Sequence, residues 1–304
     1  MYTYVLYSNT GVSVAPYGDH WRHLRRICTT EIFFAARLRE SFEIWRDEVR
    51  SMLQTIHAAT LRGNNSVRVE LRPLLSGFTL NVIMRMVAGK RYYGEDNAEA
   101  KAVSELISET FELGGFTYVG DFLPILKLFD FDGYVKKSKK LGSKLEKFLQ
   151  ELVMLFAGSD TTSVTLEWAM ANLLNHPDVL VKVKTELNNI VSREGRLREE
   201  SETSTCTYLN NVISETLRLY PAAPLLVPHA SSGDCKVAGR ACPGMELAQL
   251  VLGLALGSLI QCFDCERDED VAVDMLEGKG LTMPKALSLV AKCKSSSILD
   301  NVVI

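Results

Sequence analysis

Apolar positions recur at helical spacing along most of the chain. From Asp19, Trp21, Leu24, Arg25 and Cys28 fall on one side of a predicted helix. Arg37 to Leu61 continues the pattern through Phe42, Trp45, Val49, Leu53 and Ile56, until Gly63-Asn64-Asn65-Ser66 interrupts it. Val67 to Leu71 reads as a short extended or helix-entry piece. Helices are predicted over Leu74–Val87, Ala100–Leu113, Tyr134–Leu155 and Glu151–Leu174. Asn175-His176-Pro177-Asp178 ends the last of these and starts another to about Val191. After a polar loop over 192–206, Tyr208–Tyr220 and Met245–Phe263 are helical; Asp264 to Asp270 reads as an acidic surface run. Gly278 to Ala286 reads as a turn, with a short strand pair continuing to Cys293. The predicted class is mainly α with small β elements, in a single domain spanning 1–304.

Two apolar helices carry residues that a core helix gains nothing from. Glu151–Leu174 holds Ala157-Gly158-Ser159-Asp160-Thr161-Thr162 in its middle, where glycine alone costs about 1 kcal/mol against alanine. Thr161 lies four residues after Ala157, so its hydroxyl reaches that carbonyl and opens the backbone into a groove with Asp160 at its lip. The alternative is a capping turn between two shorter helices. Met245–Phe263 is entered through Gly239-Arg240-Ala241-Cys242-Pro243-Gly244. Proline suits a first helical position, and the helix N-terminus favours the Cys242 thiolate over the thiol. Such a sulfur serves as a nucleophile, a redox centre or a soft metal ligand, or is simply buried structure.

Two further pairs carry chemistry. Trp21 and Arg25, one turn apart, aim an indole and a guanidinium the same way and suit a carboxylate on a flat hydrophobic ligand. Their plain alternative is a solvated basic face shared with Arg22 and Arg26. Glu215 and Arg218 share a helix face between Val212, Ile213 and Leu219, which predicts a partly buried ion pair that fixes geometry.

Composition narrows the classes. Hydrophobic content of 47% and charge of 23% are those of a globular protein, and a net charge of −3 recommends no nucleic-acid partner. The seven cysteines are odd in number and scattered, which favours a reducing compartment over a disulfide framework. Cys262-x-x-Cys265, with Cys235 and Cys242, raises a zinc or redox alternative, but continuous helix between the pairs leaves no knuckle turns. Met1 to Tyr7 lacks the basic start of a signal peptide. Leu247 to Ile260, interrupted by Gln249, is too short to span a bilayer.

In this order, the four motifs resemble cytochrome P-450 monooxygenases, and the resemblance covers most of the chain. It implies a P-450-like helical fold and haem b (iron protoporphyrin IX), with Cys242 as the iron ligand. Cofactor binding would fall to Trp21, Arg25, Ala157, His229, Arg240, Cys242 and Gly244. Asp160 and Thr161 would be catalytic, and Glu215 and Arg218 the structural ion pair. Pro221 to His229 and Gly280 to Pro284 look like substrate-facing segments. The implied partners are a small hydrophobic substrate and a reductase that delivers electrons from NADPH. The wording is closest to plant isoflavone and flavonoid hydroxylases, and the location implied is the cytosolic face of the endoplasmic reticulum membrane.

The chain departs from that pattern in defined places. An N-terminal membrane anchor, a segment just before Glu151 and a segment between Val237 and Arg240 are expected to be missing. The family's phenylalanine seven residues before the cysteine is Cys235, and its glycine four before is Ala238. Two readings follow: an active haem-thiolate monooxygenase, or a non-catalytic remnant that holds haem weakly or not at all.

Overall fold

The computed structural model describes residues 11–12, 15–63, 66–92, 133–148, 153–191, 205–226, 244–268, 271–296 and 298–299, with isolated positions between 102 and 113 that are helical. Helix α1, Asp19–Ile27, runs into a π-helical turn, Cys28–Ile32. Then come α2 (Ala35–Arg62), β1 (Ser66–Glu70), α3 (Leu71–Ala88), α4 (Tyr134–Phe148), α5 (Val153–Asn175) and α6 (Pro177–Val191). The chain continues through α7 (Thr207–Leu219), α8 (Met245–Cys262), β2 (Phe263–Arg267) and β3 (Val290–Ser295). The mainly helical class is as the periodicity predicts.

The helices divide by how their apolar residues are spread. On α2, Leu38, Trp45, Val49, Met52 and Ile56 are buried at spacings of three, four and seven, which is one stripe. Helices α3, α5 and α8 are apolar around most of their circumference and must be covered on every side. They satisfy this together: α3 lies along α5, and α8 packs against α5, α2, α6 and α7. Among the described residues α8 is long and apolar enough to cross a membrane, but most of it is buried inside the fold, so it is the core helix the sequence predicts.

Buried charges pin these helices in register. Glu48 on α2, 1% exposed, accepts hydrogen bonds from Asn81 and Arg85 of α3 and from Arg91 beyond it, at 2.7–3.1 Å. Removing one partner from such a set would strand a buried charge, so the set holds α2 against α3. The left-handed Gly89, φ 65°, closes the end of α3 by donating its N–H to the Arg85 carbonyl.

The Gly158-to-Thr162 cluster does not divide α5, which overturns the alternative of two shorter helices. Hydroxyls in the cluster and just after it turn back onto the helix instead: Thr162 donates to the Gly158 carbonyl at 2.8 Å and Ser163 to the Asp160 carbonyl at 2.9 Å. A second correction concerns the acidic run after Phe263. Residues Phe263–Arg267 form β2, with Phe263 and Cys265 inward and Asp264 and Glu266 outward. The acid count masks a period-two alternation there. The sheet order is β1-β3-β2, antiparallel throughout, so β3 is central. Among the described residues the expected short strand pair is an isolated Glu277–Lys285 bridge followed by β3, which pairs with β1 and β2.

Candidate functional site

A cavity of about 290 Å³ lies between α1 with its π-turn, α3, α5 and the start of α8. Trp21, Arg25 and Cys28 form one wall, and Gly158 and Thr161 of α5 form another. Ile83 and Met86 of α3 and Gly244 and Leu247 of α8 complete it. Residues far apart in sequence, drawn from three of the four motifs, thus face one space.

Each wall has a local cause. Gly244 is the N-cap of α8 with φ 85°, a conformation that L side chains rarely adopt, and it sits beside the Phe33 ring. On α5, a Cβ at Gly158 would come within 3.0 Å of Ile83, so the missing side chain lets α5 approach α3. The Arg25 guanidinium lies 5.3 Å from the Trp21 ring centroid, a cation–π contact that orients it. The Trp21 indole N–H already donates to the Val12 carbonyl at 3.0 Å, so the indole acts through its ring and Arg25 is the cationic donor of that wall.

The remaining polar atoms sort by neighbourhood. Thr79 donates to the Leu75 carbonyl, so α3 presents an essentially apolar surface. Burial pushes the Cys28 thiol above its ordinary range, which keeps it neutral. Among the described residues no group of three or more His, Cys, Asp or Glu is placed to hold a metal ion.

Asp160 does not line the cavity. Its carboxylate accepts a 2.6 Å hydrogen bond from the Thr282 hydroxyl, and burial raises its pKa from the ordinary carboxyl value. Glu215 and Arg218 form a bidentate pair at 2.7 and 2.8 Å. Their side chains are 54% and 67% exposed, so the expected partial burial is corrected: the pair lies on the solvent face of α7. Ala157 falls on α5, whose side chains are described from Gly158 onward. His229, Arg240 and Cys242 lie outside the described residues, and Gly244 is the nearest described neighbour of Cys242 in the chain.

The sequence reading missed the α3 wall and the Thr282 contact. Residues Ile83 and Met86 sit in a helix apolar on all sides, where no periodicity marks a ligand face. Cys28 carried a signal, because it follows Trp21 by seven residues and Arg25 by three. The Gly280–Pro284 segment packs on the other side of α5, where the Met283 carbonyl accepts from Trp168 and its N–H donates to the Ala222 carbonyl.

Comparison with known proteins identifies the family. The family model for cytochrome P450 matches residues 2–154 and 150–241. Cytochrome P450 81Q32 of Catharanthus roseus is 39% identical over 391 aligned positions, covering 99% of this chain and 78% of that protein. Cytochrome P450 81D1 of Arabidopsis thaliana is 39% identical, covering 99% and 77%. Isoflavone 3'-hydroxylase of Medicago truncatula is 35% identical, covering 98% and 79%. The chain belongs to the cytochrome P450 family, a family of haem-dependent monooxygenases.

Proposed function

We propose that the cavity is the haem site of a plant monooxygenase that hydroxylates a small hydrophobic, phenolic or isoflavonoid substrate. One observation carries the reading: Trp21, Arg25, Gly158, Thr161 and Gly244 converge on a single apolar space. The donor set fits haem, since apolar walls suit a flat macrocycle and a guanidinium at the edge suits its carboxylates. Haem held by a cysteine thiolate supplies dioxygen activation.

This chain's own residues supply the rest. Arg25, steadied by the Trp21 ring, binds a carboxylate, with Arg240 and His229 as further contacts. Cys242, two residues before Gly244 in the sequence, is the thiolate ligand of this reading. Thr161 lines the cavity beside Gly158 and orients what binds there. Asp160, the neighbouring residue, accepts the Thr282 hydroxyl at one carboxyl oxygen, and takes up and passes on a proton there when that contact opens. The apolar α3 wall excludes water from the same space. Electrons come from NADPH through a separate reductase, and the location is the cytosolic face of the endoplasmic reticulum membrane. The substrate class rests on relatives named isoflavone 3'-hydroxylase and isoflavone 2'-hydroxylase.

A second reading has its own support. An alignment of 391 positions against 304 residues leaves at least 391 − 304 = 87 positions where this chain has no residue. The two family matches also meet at 150–154, where a segment before Glu151 was expected to be missing. These observations support a remnant that keeps the helices and holds haem weakly. The reduced, carbon monoxide-bound spectrum of the haem-loaded protein separates the readings. A thiolate-type Soret band that Cys242→Ala removes supports the enzyme, with Thr161→Ala then uncoupling oxygen use from product. A band at the thiol or histidine position, or no haem uptake, supports the remnant.

A further inference from the structure

The C-x-x-C of the sequence is not a pair in space. Cys262 ends α8, and burial pushes its thiol up to about 12. Cys265 faces Cys293 instead. The two are register partners on adjacent antiparallel strands, and their sulfurs stand 3.2 Å apart. Both side chains are buried, at 8% and 1% exposure.

We propose that Cys265 and Cys293 are a two-electron thiol–disulfide couple, closed into a cross-strand disulfide by a hydroperoxide. One thiolate attacks the peroxide, breaking its O–O bond, and leaves a sulfenic acid and water. The other sulfur then displaces the sulfenic oxygen as a second water. One S–S bond forms, two S–H bonds break, and both electrons of the couple end on the peroxide oxygens. For hydrogen peroxide the products are the disulfide and two waters.

The geometry supports closure without refolding. Facing residues of an antiparallel pair have Cα atoms about 4.5–5.5 Å apart, within the roughly 4.4–6.8 Å span of disulfides. The sulfurs need to close by only about 1 Å to reach bonding distance. The strand that must yield is β2, which is bonded to β3 on one side only. The neighbouring Cys293 sulfur and burial hold the Cys265 thiol well above its ordinary pKa, so the closed sheet contains little thiolate. Oxidation is therefore gated by opening of this edge strand. The bond encloses residues 266–292, among them Thr282, Lys285 and Leu289, which bind the polar residues of α5 and α3. It staples the segment that fastens the cavity helices and leaves the cavity wall alone. The inference does not depend on haem.

The test uses the full chain under native conditions with hydrogen peroxide, alkylation without reduction, and peptide mapping by mass spectrometry. A peptide pair joined through Cys265 and Cys293 is expected, with Cys28, Cys206 and Cys262 recovered alkylated. The link should form faster in sub-denaturing urea and raise Tm by roughly 5–10 °C over the dithiothreitol-treated protein. Cys265→Ser and Cys293→Ser should each abolish the link, and Cys262→Ser should keep it. Should either serine variant fail to fold, the wild-type peptide map decides alone. Recovery of Cys265 and Cys293 as separate thiols or sulfinic acids, or a link joining Cys262 to Cys265, overturns the proposal.

Discussion

Two faces of α5 use polar residues for opposite ends. One face turns to the C-terminal segment and leaves nothing loose. Asp160 accepts from Thr282, the Trp168 indole donates to the Met283 carbonyl, and the Tyr220 ring stacks on Trp168 at 4.2 Å. Glu167, 1% exposed, takes the Arg72 guanidinium at 2.9 Å and the Leu289 N–H at 2.8 Å. The other face, with Gly158 and Thr161, borders open space between α3, α1 and α8. Because residues 160 and 161 point about 100° apart on a helix, adjacent polar positions serve fastening and cavity separately. A polar residue in an apolar helix is thus no guide to chemistry until its face is known.

The largest expected effect comes from breaking the fastened face. Glu167→Ala leaves the Leu289 N–H unpaired in the interior and takes the carboxylate from the one-third exposed Arg72, which keeps the Lys285 carbonyl. It should cost about 2–3 kcal/mol. A fall in urea midpoint at unchanged m-value would register it. A loss below about 1 kcal/mol would mean that face is solvated and the contrast is void.

The cavity face is sharpened by Gly244→Ala. The new methyl would meet the Phe33 ring at only 3.5 Å, an ordinary contact, so the cost is conformational. An L-residue held at φ 85° should lose about 1–2 kcal/mol. Gly244→Asn should lose less, because asparagine tolerates that region. Equal losses in the two variants would point to crowding as the cause.

Much of this contrast was legible in the sequence. The helices follow from apolar spacing, and Trp21, Arg25, Gly158, Thr161 and Gly244 were named from local chemistry that a core helix does not need. What was not legible depends on distant partners. Thr282 contacts Asp160 across 122 positions of sequence, so nothing near Asp160 says which way it faces. The strand β2 was hidden because its outward acids, Asp264 and Glu266, read on into the acidic residues that follow and mask the alternation with Phe263 and Cys265. Cys262 and Cys265 looked paired by spacing, but a helix end and a strand separate their directions.

Asp160 gives a smaller, pH-dependent effect. Its folded pKa is raised by burial above the ordinary value near 4. The native state therefore binds the proton more tightly than the unfolded chain. The stability it contributes is complete below that ordinary value and is lost as pH rises through the folded pKa. Asp160→Asn should remove that decline, whose slope is at most about 1.4 kcal/mol per pH unit for one proton. Urea midpoints of the two proteins, taken from pH 4 upward, should diverge in that window and run parallel above it. Parallel curves throughout would move Asp160 out of the interior.

The smallest effect belongs to the pair that family resemblance ranks as structural. Glu215 and Arg218 meet with good bidentate geometry, and the Arg218 guanidinium holds the Glu215 carboxyl below its usual range. Both side chains nevertheless face water, where salt screens the attraction and ordering two flexible side chains offsets it. Compared with Glu167 and Arg72, the residue types match and the separation is nearly the same, but Glu167 is buried where Glu215 is exposed. Glu215→Ala should therefore leave Tm within experimental error, at low and at high salt alike. A drop of several degrees would mean that the pair is covered in solution, and burial would then no longer separate α7 from the fastened face of α5.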